Sequence, residues 1–296
     1  MLNGFINIDK SEGIGSTEVV SALKKLLFPR FGRMKIGHTG TLDPLASGVL
    51  PIALGEATKA IPYMEPTLKI YIFAIKFGVS TTTDDRAGEV VETSTKIPSV
   101  REIEEVLPKF MGAISQIPPR FSAIKINGQR AYDLARAGAE FDIKPRANFI
   151  HLLRLIEQVA MDEFKFEVQA ERGFYVRSLA RDMAAALGTA GHASLIRRTA
   201  SGPFTLESAI SLDNIAKMLQ NSAQLDAREF VLDICLVLDG IPAIGIDESQ
   251  QARLKHGQTL ETSLSDGLYR ALFQDRLVCI AKAANGVLKP ERAFNI

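Results

Sequence analysis

Apolar residues recur along this chain at two periods, near 2 and near 3.6, and the two never settle into strict alternation. That irregular order limits the fold more than any other feature. FINI, residues 5–8, is a short apolar run of strand type. Ser16 or Thr17 can cap a helix in which Val19, Val20, Leu23, Leu26 and Leu27 share one side, and Pro29 is expected to end it. VLPIAL, residues 49–54, predicts a strand, and EATKAIPYM, residues 56–64, a short helix. LKIYIFAIKFG, residues 68–78, is rich in β-branched and aromatic residues and predicts a strand. A strand near 89–92 follows, then a helix near 100–110 with Ile103, Val106, Leu107 and Phe110 at helical spacing. Residues 121–138 predict a strand, an Asn-Gly turn and a short helix. Two strands fall within 149–171, a helix runs from Tyr175 to Gly188, and ISLDNIAKML adds another. After about Leu238, IPAIGI, LYRALF and LVCIAKA are strand-like pieces between Gly turns. The expected class is α+β. A mainly antiparallel, mixed sheet occupies a domain over 1–238, and a small β-rich domain occupies 239–296.

Composition narrows the class of function. The 296 residues are 46% apolar and 23% charged, enough for a substantial core. No run approaches the ~20 apolar residues of a membrane span. MLNGFINIDK has too short an apolar part for a signal peptide, so a cytoplasmic place and no membrane partner are expected. Cys235 and Cys279 lack any CxxC spacing and read as small buried hydrophobes without a disulfide. His38, His151, His192 and His256 stand singly, so no metal site is expected. No nucleotide fingerprint is present. The formal charge is only +1, yet two basic islands stand out. One holds Arg120, Lys125, Arg130, Arg136, Lys144 and Arg146; the other holds Arg172, Arg177, Arg181, Arg197 and Arg198. Such islands dock a polyanion or are simply solvated surface.

GHTGTLDPLASGVLP, residues 37–51, contains one acid, Asp43, among three glycines and two prolines. Pro44 restricts Asp43 to extended backbone. An Asp in a Gly/Pro loop is most often a turn or cap residue. The crowding around it also suits a carboxylate held at a fixed place in a cleft, a candidate nucleophile or base.

GHTGTLDPLASGVLPIALGEATK, residues 37–59, resembles the aspartate motif of TruB-type tRNA pseudouridine synthases, GHxGTLDPxAxGxLPxxxGxATK. NIDKSEGIGS, KIYIFAIKFG, QIPPRFSAIKINGQRAYDLARAG, RGFYVRSLARDMAAALG and HASLIRRTASGPF resemble other segments of that family, in the same order. The resemblance covers about residues 3–215. One departure is Ser11, where the family usually has Pro after the Lys of its first motif. The resemblance implies a pseudouridine-synthase catalytic domain over 1–238, with a T-arm-binding insertion at about 118–148. By place and size the tail over 239–296 resembles a PUA domain.

The resemblance also implies a reaction: isomerisation of uridine 55 in the T stem-loop of tRNA by a stand-alone monomer without cofactor or metal. It makes Asp43 the essential carboxylate, as nucleophile at the base or the sugar, or as a base toward the sugar. Burial alone would raise the pKa of Asp43, and Arg177 matches the arginine that pairs with it. Tyr71 matches the tyrosine that stacks on a flipped-out base. The implied binding residues are Tyr175 near Arg177, Ile196 on the base, and His38 at the disrupted T loop. Lys125 and Arg130 fall in the segment that closes on the T arm. Lys10 either braces the site or touches the RNA backbone. Taken singly, Arg177 reads as a surface arginine at a helix start and Tyr71 as an ordinary inward aromatic. Three rival functions were weighed. A tRNA-folding chaperone has no need of Asp43, Tyr71 and Arg177 together. A guide-RNA-dependent enzyme tends to carry a basic tail, whereas this sequence closes on ERAFNI. A carboxylate hydrolase wants a second acid, for which Asp84, Asp85 and Asp182 are candidates.

Overall fold

The aromatic run at residues 68–78 forms the strand around which half of the molecule is organised. In the computed structural model, which describes residues 2–64, 68–221 and 226–296, the chain divides into two compact units. One comprises Pro44–Gly48 and Pro66–Ser201, the other Met1–Asp43, Val49–Glu65 and Gly202–Ile296. The class is α+β, as expected.

In the unit built on the aromatic run, strand Lys69–Phe77 pairs antiparallel with Glu163–Ala170 on one side and Gly191–Ser201 on the other. Glu163–Ala170 alternates half-buried and buried residues along its whole length. Its buried set packs on the neighbouring strand, Phe166 stacked on Phe73 with ring centroids 5.3 Å apart and Phe164 edge-on to Phe77 at 5.7 Å. Arg146–Ala160 and Gly112–Gln116 extend the sheet antiparallel, while Ala46–Gly48 joins Gly191–Ser201 in parallel. The sheet is thus mixed and mainly antiparallel. The expected helix near 175–188 is Val176–Ala186. The Asn-Gly turn at 127–128 has both residues at positive φ, +49° and +88°, as a two-residue hairpin requires.

Strand Gly191–Ser201 was not anticipated. Register shifts between Ala193 and Leu195 and between Arg198 and Ala200 break its alternation. A period-2 pattern therefore never appears in HASLIRRTAS.

The other unit begins with strand Gly4–Lys10, buried at every position but Asp9. Helix Ser16–Phe31 buries Val19, Val20, Leu23 and Leu27. It differs from expectation at both ends. Gly15, not Ser16 or Thr17, is the N-cap, and its N–H donates to the Glu18 carboxylate at 2.6 Å. Pro29 lies inside the last turn, where it deletes a single helical hydrogen bond, and Gly32 ends the helix. The run at 56–64 forms two 3-10 turns, Gly55–Lys59 and Ile61–Tyr63, rather than one helix, because Pro62 removes a backbone donor.

The core of this unit combines distant parts of the sequence. Phe5, Val49, Ala53 and Phe204 pack with Ile234, Leu277, Ile280 and Phe294. The expected tail strands form a five-stranded sheet in the order Ala243–Gly245, Gly267–Phe273, Arg276–Ala284, Val287–Ala293, Leu260–Glu261. Helix Glu248–Lys255 was not anticipated, because Leu254 is its one buried residue and no apolar stripe marks it.

Gly48 shows how tightly the sheet is closed. Its φ is +99°, and a Cβ there would lie 2.1 Å from the carbonyl oxygen of Arg198. Gly48→Ala is expected to add on the order of 1–3 kcal/mol of backbone strain, besides disrupting the pairing with Gly191–Ser201. Urea unfolding should show a lowered midpoint; a midpoint like that of wild type would contradict this account.

Candidate active site

A loop at 39–45 carries Asp43 between strands Ile36–His38 and Ala46–Leu54. The Thr39 N–H donates to the Pro51 carbonyl at 3.0 Å where the loop opens. Further along, the Ser16 hydroxyl donates to the Leu42 carbonyl at 2.9 Å and accepts the Leu42 N–H at 2.8 Å. Ser16 is 3% exposed and Leu42 4%. Inside a protein such a pair is worth more than in water, since neither peptide group has solvent to turn to. The peptide just before Asp43 is therefore locked, while Asp43 itself is half-buried.

Lys10 and His38 belong to the same unit. Lys10 is fully buried, and its ammonium donates to the carbonyls of Ser11 at 3.0 Å and Ile14 at 2.7 Å. This closes the loop that leads into Ser16. His38 is half-buried and pairs with Ile52 in strand register.

Tyr71, Tyr175, Arg177 and Ile196 belong to the other unit. Tyr71 is buried between Val168 and Arg198 in register, and its ring centroid lies 6.4 Å from that of Phe174. Ile196 is buried opposite Phe73, so Ile196, Arg198, Tyr71 and Phe73 share one face of the sheet. The buried Gln116 grips the backbone of Tyr175. It donates to the Tyr175 carbonyl at 3.2 Å and accepts the Tyr175 N–H at 3.1 Å.

Arg177 is not the surface arginine that a helix start suggests; it is 4% exposed. One guanidinium nitrogen donates to the Thr83 carbonyl at 2.9 Å and lies 3.7 Å from the Asp85 carboxylate; another donates to the Phe121 carbonyl at 3.0 Å. Sequence reasoning gave Asp85 no part in this. Its signal lay in TTTDD, residues 81–85, a cluster of turn-forming side chains. Asp85 accepts from the Thr83 hydroxyl at 2.6 Å and the Ala87 N–H at 3.0 Å, which aims its other oxygen at Arg177. Asp84, at φ +59°, pairs with Arg181 at 2.9 Å; burial still raises its carboxyl, outweighing the attraction of Arg181 and Arg177. Asp182 pairs with Arg181 at 3.0 Å. The three acids considered for a hydrolase are thus each matched with an arginine.

Lys125 and Arg130 are exposed on the hairpin Lys125–Ile126/Gln129–Arg130. Aromatic rings support the cations here. Arg130 and Arg136 lie 5.8 and 5.6 Å from the ring of Tyr132, and Arg120 lies 4.9 Å from that of Phe141. Cys279 is buried and Cys235 half-buried; burial pushes both thiols up to about 11, too high for a reactive thiolate.

Two family models match the chain: TruB family pseudouridylate synthase, N-terminal domain, over residues 25–176, and tRNA pseudouridylate synthase B C-terminal domain over 177–237. The chain is 41% identical to tRNA pseudouridine synthase B of Bradyrhizobium diazoefficiens, covering all of this chain and 86% of the relative. It is 43% identical to the protein of that name from Zymomonas mobilis, covering 99% and 96%. A solved H/ACA RNP bound to a substrate RNA containing 2′-deoxyuridine has a similar chain, with TM-score 0.74 and 25% identity over 99% of this chain and 85% of that one. A chain of a Cbf5-Nop10-Gar1 complex is similar at TM-score 0.73 and 27% identity, over 99% and 85%.

Ser16→Ala would leave the N–H and the carbonyl of the buried Leu42 without the hydroxyl that serves both. Chemical unfolding should show a loss of about 1–3 kcal/mol. A change within a few tenths of wild type would mean that the hydroxyl does not hold the loop.

Proposed function

The chain belongs to the TruB family of pseudouridylate synthases and forms pseudouridine in tRNA, and on that premise we propose that it acts on uridine 55 of the T loop through Asp43. The observation that carries this reading is the Asp43 loop. It has the sequence of the family's aspartate motif, its backbone is held by a buried hydroxyl, and Asp43 as a residue is only half-buried. A fixed carboxylate that a ligand can still reach is what the reaction requires.

The C1′–N1 bond of uridine breaks, the base turns, and C1′ bonds to C5. The C5 proton leaves and N1 gains one, so atoms balance without a cofactor. Asp43 acts ionised, as nucleophile at the base or the sugar, or as base toward the sugar. By the family resemblance, Arg177 is its cationic partner in the reaction. Tyr71 receives the extruded base, and its hydroxyl assists proton movement at C5. Ile196 packs on the base, Tyr175 adds hydrogen bonds, and His38 holds the opened T loop. The 118–148 insertion closes on the T arm through Lys125 and Arg130. Residues 1–238 carry the chemistry, and 239–296 serve as a PUA-like auxiliary RNA contact. Identity favours a stand-alone tRNA enzyme over a guided one, at 40–43% to the tRNA synthases against 25–27% to the RNP chains.

The test is a uridine-containing T-arm hairpin read for pseudouridine by chemical mapping, without any partner protein. Wild type should modify one uridine, and Asp43→Asn none. Modification by Asp43→Asn at the wild-type rate would end this reading. Arg177→Ala should nearly abolish single turnover; a near-normal rate would refute its role. Lys125→Ala with Arg130→Ala should weaken binding and flatten its salt dependence by about 1.4 in log–log slope, roughly 0.7 for each lost phosphate contact. An unchanged slope would count against contact with RNA.

A further inference from the structure

Three cations gather on the unit that holds Tyr71: Arg172 and Arg198 of the second basic island, and Lys69, which belongs to neither island. Lys69 opens strand Lys69–Phe77 two residues before Tyr71, so both side chains leave the same face, about 7 Å apart by the strand rise. Its register neighbours, Ala170 and Ser201, carry no charge. Arg172 lies in the turn that follows Glu163–Ala170, and two residues on the same turn brings Phe174 against Tyr71. Arg198 sits directly opposite Tyr71 in the neighbouring strand. Burial first, then the charges of Arg198 and Arg172, push the Lys69 ammonium down to about 8. Among the described residues no carboxylate pairs with Lys69 or Arg172. Lys69 and Arg172, set close together, repel one another until an anion arrives.

We propose that Lys69 and Arg172 form a phosphodiester site that holds the RNA backbone beside the base stacked on Tyr71. A nucleotide carries its phosphates one sugar away from its base, which is the reach from Tyr71 to Lys69. The assignment of the polymer as RNA rests on the proposed function; the anion site rests on Lys69 and Arg172. Arg198 adds positive potential from within the sheet, and Lys69 and Arg172 make the contact.

The experiment measures binding of the T-arm hairpin by fluorescence anisotropy across a salt series. It compares wild type, Lys69→Gln and Lys69→Arg on the natural hairpin and on one with neutral methylphosphonate linkages flanking the target uridine. Lys69→Gln should weaken binding to the natural hairpin about tenfold and reduce the salt slope by about 0.7, and Lys69→Arg should restore most of both. The neutral linkages should weaken wild type similarly and Lys69→Gln hardly at all. Independent, multiplying losses would overturn the proposal, as would unchanged binding by Lys69→Gln. The wild-type series on the two hairpins needs no variant to fold; equal affinity for both would overturn it too. Inorganic phosphate is the remaining probe. If millimolar phosphate binds in a Lys69-dependent way while the neutral linkages cost nothing, the site serves free phosphate and not RNA. Pseudouridine is mapped in parallel on the natural hairpin. Coupled binding without product would sink the isomerase reading and keep the site, whereas product without coupling would sink the site and keep the isomerase.

Discussion

Eight consecutive backbone pairs between Lys69–Phe77 and Glu163–Ala170 run without a register shift, and half of the site depends on them. A slip of one residue would turn every side chain of the strand to the opposite face. Phe73 stacked on Phe166 and Phe77 edge-on to Phe164 make that slip costly, because these ring contacts form only in one register. Lys69 and Tyr71 point where they do because the aromatic pairs on the same strand are satisfied there. The neighbouring strand then sets Ile196 and Arg198 on that face. Its two irregularities lie outside the stretch from Ile196 to Arg198 and leave that stretch regular.

Buried charge is handled by close backbone partners. The ammonium of Lys10 has two carbonyls within 3.0 Å, and the guanidinium of Arg177 has two within 3.0 Å plus the Asp85 carboxylate. A charge removed from water is tolerable only when hydrogen bonds replace its hydration. The arrangement ties each cation to a loop: Lys10 to residues 11–14, and Arg177 to the turn at 81–88 and to Phe121. Charges that would otherwise weaken the fold instead shape loops that have little apolar surface of their own. The exposed cations follow a different rule. Arg120, Arg130 and Arg136 rest on aromatic rings and keep their heads in solvent.

The sequence made some of this legible. The strand at 69–77, the Asn-Gly hairpin and the tail strands declare themselves through period and turn chemistry, which are local properties. The Asp43 loop is visible through its glycines and prolines and through its likeness to a family. Strand Gly191–Ser201 was hidden because bulges erase its alternation, and helix Glu248–Lys255 because it buries a single side chain. Ser16 was read as a possible cap, since a Ser before an apolar helix usually is one. Its hydroxyl instead holds Leu42, a partner 26 residues away that no local rule could supply.

By itself, then, the sequence determined the class of fold, the family, and the identity of Asp43, Tyr71 and Arg177 as residues to examine, because these follow from local pattern and motif. Tertiary structure alone decided that Lys10 and Arg177 are buried, that Asp85 faces Arg177, and that Lys69 stands near arginines with no acid paired to it among the described residues. Those are questions of solvent access and of separation in space, and both arise only when segments far apart in the chain pack against one another.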